Sequence, residues 1–235
     1  MTGPRPSRRA RMTEGHGAAI ADRLSLADWR RQVADLYAEV RRTAASDPHA
    51  AWTLWRTTRE RLFTEHPDSP VPAAMRASFR ARHWPYDDSL RFVLPVLDEP
   101  PEPQAGIRLS LAPGEALQLP MSVGDALDFR RIGWIEVPFP DGSRRLGLYW
   151  MAGYAGGLFL PFRDTTNGDA TYAAGRYLLD TAKGADLGAD SSGRLVIDFN
   201  FSFHPSCAFD PVWSCPLAPP ENRLDLAVEA GERLR

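Results

Sequence analysis

Residues 127–151, LDFRRIGWIEVPFPDGSRRLGLYWM, alternate apolar and polar side chains on either side of Pro140-Asp141-Gly142-Ser143. A two-residue period places successive side chains on opposite faces of an extended strand. The Pro-Asp-Gly-Ser cluster suits a chain reversal, so residues 127–137 and 145–151 are predicted to pair as an antiparallel hairpin. Similar short runs at 90–97, 106–111, 116–120, 158–162, 177–180 and 195–201 are separated by turn residues. No helical pattern falls between them. Many strands at short spacing without crossover helices predict an antiparallel barrel-like or sandwich body rather than a parallel α/β sheet. Residues 224–228 alternate apolar and acidic side chains and are predicted to add an edge strand.

Upstream the period lengthens. Ser25, with Asp28 three residues on, is a weak capping box that predicts a helix start. Leu26, Trp29, Val33, Leu36, Tyr37 and Val40 recur at helical spacing to about residue 42. Asp47-Pro48 supplies a second N-cap and first helical residue. Ala51, Trp52, Trp55, Arg59, Leu62 and Phe63 carry that helix until His66-Pro67 stops it. Pro67, Pro70 and Pro72 punctuate the exit, ahead of a short helical turn within 73–80. The fold class is therefore α+β: an N-terminal helical pair, then the β-rich body. Residues 1–22 offer almost nothing to bury and read as a disordered tail. Residues 23–83 form the helical region, and 84–235 the β-rich domain with a proline-rich C-terminal strap. Met12 is an alternative start to Met1.

Composition narrows the functional classes. With 235 residues, 43% apolar and seven Trp, the chain can bury a core. A net charge of −2 gives no drive toward nucleic acid or an anionic membrane, and neither is expected as a partner. No apolar run reaches the ~20 residues that span a bilayer. The basic start lacks a following apolar segment, so a signal peptide is not expected. Two cysteines without an export signal point to reduced thiols and a cytoplasmic protein.

Two polar stretches concentrate the chemistry. Residues 161–177, PFRDTTNGDATYAAGRY, follow an apolar strand, and a polar loop at a strand end is a common ligand site. Arg163 and Arg176 offer planar forks for carboxylate or phosphate. Turn chemistry and a structural pair for Arg176 explain the same residues equally well. Residues 198–223, DFNFSFHPSCAFDPVWSCPLAPPENR, hold both cysteines, His204 and five prolines. Those prolines preclude a helix or a long central strand, so the segment is predicted to be an extended strap.

The string Phe162-x-Asp164-x-Thr166-x-Gly168-x-x-Thr171-Tyr172-x-x-Gly175-Arg176-Tyr177 carries a resemblance. With it go Asp198-Phe199-Asn200, Pro205-x-Cys207-Ala208-Phe209, Cys215-Pro216-Leu217, Pro219-Pro220-x-Asn222-Arg223-Leu224 and Ala230-Gly231-Glu232. Over residues 50–233 the chain resembles the prokaryotic domain-of-unknown-function family 1684, with the Arg59–Pro70 region resembling its opening. Ala173-Ala174 stand where that family tends to have glycines, and His204 where it usually has Asn. The resemblance implies a shared fold and a common site location; the family has no established activity.

The expected site is a polar pocket between the 163–177 loop and the strap, holding a small anionic or polar ligand. Its candidate ligand-binding residues are Arg163, Asp164, Thr171, Tyr172, Arg176, Tyr177, Asn200, Glu221, Asn222 and Arg223. Arg163 and Arg176 are to hold charge, Tyr172 and Tyr177 to stack or donate, and Asn200 and Asn222 to fix orientation. Glu221 and Arg223 are also suited to pairing the strap to the β-body. A competing enzymatic reading uses Cys207 as nucleophile beside His204, or a pocket carboxylate. No cofactor is identified. His204, Cys207 and Cys215 supply three of the four ligands that structural zinc usually takes, so no metal site is assigned. A Cys207–Cys215 disulfide is sterically open but disfavoured in a reducing compartment. A third reading makes the Trp-bearing helices an interaction module, although tryptophans on helical faces are more simply core.

Overall fold

The computed structural model describes residues 8–98, 116–122, 127–153 and 156–234. The predicted strand at 106–111 lies outside them. Helix α1 spans Arg8–Ala44 and α2 spans Pro48–Glu65. The first helix thus begins well before Ser25, and residues 8–22, expected as a disordered tail, belong to it. Arg, Ala, Met and Glu fill much of this stretch and favour helix, while Gly15 and Gly17 weaken it without breaking it. Asp47 caps α2 by accepting the Ala50 N–H at 2.9 Å, and His66 ends it in extended backbone. A short helix α3, Ala73–Arg76, follows.

The two long helices pack as a pair. Trp55 Nε1 donates to Tyr37 Oη at 3.0 Å, and Trp29 stacks on Phe63 at 6.1 Å between ring centroids. Trp52 and Trp55 are buried in a core shared with Leu119, Phe129, Tyr149, Phe159 and Tyr177 from the sheet. These two tryptophans are therefore packing residues and offer no surface to a partner, which removes the basis of the interaction-module reading.

Among the described residues nine strands follow the α1–α2 pair: β1 Arg82–His83, β2 Arg91–Leu94, β3 Ala116–Leu119, β4 Leu127–Phe139, β5 Gly142–Met151, β6 Gly157–Phe162, β7 Arg176–Asp180, β8 Leu195–Asp198 and β9 Glu232–Arg233. β3 to β7 form one antiparallel five-stranded sheet in chain order, and β2–β8 and β1–β9 form two antiparallel ladders. The hairpin pairs Phe139 with Gly142, leaving Pro140-Asp141 as its turn. A register shift between Arg131 and Gly133 bends β4. There Leu97 and Trp134 exchange both backbone hydrogen bonds at 2.9 Å. A Cβ on Gly133 would lie 2.8 Å from Leu97 O, so only glycine permits that approach. Leu97–Trp134 and Tyr177–Phe203 are single-residue bridges, and no ring of paired strands closes among the described residues.

A second core of Ile135, Val137, Leu146, Leu148, Leu160, Phe162, Ile197 and Phe199 fills the other side of the sheet. Leu224, Val228 and Ala230 pack into it. The predicted edge strand at 224–228 does not form. Its alternation instead buries Leu224 and Val228 while the segment runs across the body without a ladder. Among the described residues no helix is long and apolar enough to cross a membrane.

Candidate functional site

The 163–177 loop is polar in sequence and closed in structure. Arg176 is fully buried. Its Nη2 pairs with Asp164 Oδ2 at 2.6 Å and donates to Val228 O at 2.8 Å. Its Nη1 donates to Ala230 O and, at 3.1 Å, to Glu232 O. The guanidinium lies over the rings of Trp84 and Phe162. Asp164 also accepts from the Thr166 N–H at 2.7 Å and from its hydroxyl. Thr171 Oγ1 is shared between the Thr166 hydroxyl and Asn167 Nδ2, each at 2.8 Å. Arg176, Asp164 and Thr171 therefore bind the C-terminal segment and the turn itself. Their expected contact with a ligand has no open surface to use.

The strap shows the same economy. Asn222 Oδ1 accepts the Gly147 N–H at 2.7 Å, while Nδ2 donates to Gly147 O at 2.9 Å and Pro161 O at 2.7 Å. Its amide thus completes backbone pairing that the prolines around it cannot. Asn200 does likewise for Asp87, accepting its N–H and donating to its carbonyl, both at 2.8 Å. The expected orienting amides are backbone mimics. Glu221 accepts from Tyr149 Oη at 2.6 Å and lies 3.6 Å from Arg131 Nη1. Arg163 and Arg223 bridge the loop to the strap through their backbones: the Arg163 N–H donates to Asn222 O, and the Leu224 N–H to Arg163 O. The Arg223 side chain is exposed and the Arg163 side chain partly so.

Open space lies elsewhere. A cavity of about 280 Å³ separates α1 and α2 from the strap and the end of β7. Trp29, Val33, Phe63 and Phe203 give it apolar walls, and Arg30, Arg59, Lys183, Asp68 and Asp180 bring charge to it. The strap forms one side, as Phe203–Ser206 and Trp213–Cys215, but the helices rather than the 163–177 loop form the other. Of the sequence-derived candidates, Tyr177 and His204 reach this cavity. Tyr177 Oη donates to Pro216 O at 2.5 Å, and burial raises its pKa well above the ordinary value.

Glu232 holds two of the residues that line the cavity, Arg59 and His204. Arg59 Nε donates to Glu232 Oε1 at 2.5 Å, and the His204 N–H donates to Oε2 at 2.7 Å. Burial of Glu232 opposes ionisation, but the charges of Arg59 and His204 outweigh it and hold the carboxyl at about 2. His204 Nε2 accepts the Tyr172 N–H at 3.3 Å, which assigns the proton to Nδ1 beside Glu232. Burial drops the His204 pKa to about 4, so the ring is neutral near pH 7. Its bonds go to Tyr172 and Glu232, not to Cys207, which removes it as the activating base expected from sequence. Arg59 was missed as a site residue. Its signal was a charged side chain on the apolar stripe of Trp55, Leu62 and Phe63, which the structure explains by its pairing with Glu232 and its stacking over Phe63 and Phe203.

Both cysteines are buried free thiols. The Cys207 N–H donates to Cys215 Sγ at 3.4 Å. A hydrogen bond from Cys215 lowers the Cys207 thiol to about 6, with Tyr172 and Ser122 assisting against burial. The same bond and burial raise Cys215. Burial, then the bond to Cys207, pushes Tyr172 to about 12. Among the described residues no group of three or more His, Cys, Asp or Glu side chains is placed to hold a metal ion.

A helical pair laid over an antiparallel sheet and pinned by an irregular C-terminal strap defines an α+β protein with a cavity at the seam. The family model described as Protein of unknown function (DUF1684) matches residues 85–233, and the chain belongs to this family. The match begins after the helical region, so the likeness expected from residue 50 is carried by the β-body and strap. The chain is also similar to the uncharacterized protein from gene locus rrnAC0354 of Haloarcula marismortui, known from a solution NMR structure. The two share 29% sequence identity with a TM-score of 0.52, over 76% of this chain and 89% of that one. No curated protein matches the chain.

Proposed function

We propose that the protein binds a small organic ligand, with an apolar body and an anionic end, in the cavity between the helices and the strap. The observation that carries this reading is the cavity itself, about 280 Å³ and lined by aromatic and aliphatic side chains with a few charges. Three cations, Arg30, Arg59 and Lys183, face two carboxylates, Asp68 and Asp180. Arg59 and Lys183 are paired, to Glu232 and Asp180, whereas Arg30 has no ion-pair partner among the described residues. Among the described residues Asp68 Oδ2 is buried without a hydrogen-bond partner, which suits a ligand hydroxyl or amine. The same reading keeps the protein cytoplasmic, without nucleic-acid or membrane partners. It takes the sheet and the β2–β8 ladder, linked through Leu97–Trp134 and Tyr177–Phe203, as an incomplete barrel-like scaffold behind the cavity.

Thermal and urea denaturation against a panel of small carboxylates and phosphate monoesters tests the reading. A ligand at a hundredfold its Kd stabilises the native state by about 2.7 kcal/mol. Val33→Trp, which fills the cavity, is expected to abolish that gain while the chain still folds. The reading fails if no compound in the panel stabilises the protein and native mass spectrometry of the purified chain shows no co-purified small molecule.

A further inference from the structure

We propose that Cys207 and Cys215 form a reversible thiol–disulfide site, oxidised by peroxide and reset by thiols. The two residues lie eight positions apart on the strap, and the Cys207 N–H donates to Cys215 Sγ at 3.4 Å, which seats one sulfur against the backbone of the other cysteine. Each is held from outside the intervening loop. The Cys215 N–H donates to Ser122 Oγ at 3.0 Å, the Ser122 N–H donates to Cys215 O at 2.9 Å, and Met121 bridges Pro216. Pro205 starts the 3₁₀ turn that carries Cys207, and the Tyr172 hydroxyl and the Cys207 thiol shift one another's ionisation. A sulfur already seated against the other cysteine's backbone, on a proline-stiffened frame, needs little backbone movement to reach bonding geometry.

The two thiols are also unequal. The neighbouring Cys215 lowers the Cys207 thiol's pKa, whereas Cys207 and burial raise that of Cys215. That is the division of labour between an attacking and a resolving cysteine. The Cys207 thiolate attacks one oxygen of hydrogen peroxide, the O–O bond breaks, and after protonation one water leaves a sulfenic acid. Cys215 sulfur then attacks the Cys207 sulfur, gives up its proton, and displaces the hydroxyl as a second water. Two thiols and one peroxide thus yield one disulfide and two waters. A dithiol reductant reverses the bond by exchange and is itself oxidised to its disulfide. Cys215 lines the helix–strap cavity, which gives a reagent as small as peroxide a route to the pair. A reducing compartment suits such a site, since disulfides there are usually transient, catalytic or sensing.

The reduced full-length chain is treated with hydrogen peroxide, alkylated with iodoacetamide and analysed by intact mass and peptide mapping. The expected result is loss of two hydrogens per chain, no alkylation at either cysteine, and linked peptides bearing residues 207 and 215. Dithiothreitol restores both alkylation sites. In Cys215→Ser the sulfenic acid persists on Cys207 and is trapped by dimedone, whereas in Cys207→Ser the Cys215 thiol reacts at least about tenfold more slowly. Wild-type chains that stay fully alkylatable overturn the proposal. So does sulfinic acid formation at Cys207 that is equally fast with and without Cys215, or linkage only between chains. The wild-type mapping stands whether or not a variant folds, and it is independent of any ligand in the cavity.

Discussion

The 163–177 loop and the helix–strap cavity reverse the usual equation of polarity with function. The loop is crowded with Arg, Asp, Thr and Asn, and Asp164, Thr166, Asn167, Thr171 and Arg176 are consumed by one another and by the C-terminal carbonyls. The cavity is walled mostly by apolar side chains, yet among the described residues Arg30 has no ion-pair partner and an Asp68 oxygen no hydrogen-bond partner. A buried polar group with all its partners is a structural element, because removing any of them leaves an uncompensated charge or donor. A polar group facing open space remains available. What separates the two regions is the accounting of partners, which residue type alone does not reveal.

Arg176→Met strikes this contrast hardest. It strands Asp164 and leaves Val228, Ala230 and Glu232 carbonyls unpaired, so urea denaturation is expected to show a loss of about 3–5 kcal/mol. A loss below about 1 kcal/mol would return Arg176 to the list of ligand contacts.

His204 carries the next largest effect through pH. Its folded pKa lies at about 4 against 6.5 ordinarily, so the unfolded chain takes up the proton first. Its contribution is complete above pH 6.5 and is lost as pH falls toward 4, on the order of 3 kcal/mol for this group alone. Glu232, depressed to about 2 from 4.5, extends the loss at lower pH. Asp198, raised by burial from 3.8 to about 6, acts in the opposite sense, favouring the folded state below 3.8 and losing that contribution as pH rises through 6. His204→Gln is therefore expected to flatten stability between pH 6.5 and 4. An unchanged slope would separate His204 from the acid response.

Asn222→Ala should cost about 2 kcal/mol, since three backbone groups of Gly147 and Pro161 lose their partner. Hydrogen exchange at Gly147 is expected to rise with it, and full protection there would show that Asn222 does not complete the strand. Lys183→Met should cost less than about 1 kcal/mol, because the lysine end of its 3.2 Å pair with the buried Asp180 is 60% exposed and solvent screens it. Its effect is expected in ligand affinity instead; a stability loss larger than that of Asn222→Ala would break the contrast between cavity and interior.

Much of the architecture could be read from local pattern. The Pro140-Asp141 hairpin, the Asp47 cap and the His66-Pro67 stop all depend on neighbours within a few residues, and each forms as expected. The readings that failed depended on distant partners. Residues 224–228 show strand alternation, but the second core takes their apolar side chains without a ladder. Asn200 and Asn222 have the chemistry of ligand-orienting amides until Asp87 and Gly147 are found against them, 113 and 75 positions away. Arg59 looked like one position in a helical stripe, and its partner Glu232 lies 173 residues downstream.

The sequence by itself determined the α+β order, the antiparallel hairpin, the family and the irregular character of the strap. Those follow from side-chain period, turn residues and proline's missing donor, which act over short distances. Tertiary structure alone decided which polar groups are satisfied, where space remains, and that two cysteines eight residues apart meet. Those outcomes depend on which distant segments pack together, and desolvation then fixes whether each charge is paired, shifted or left open to a ligand.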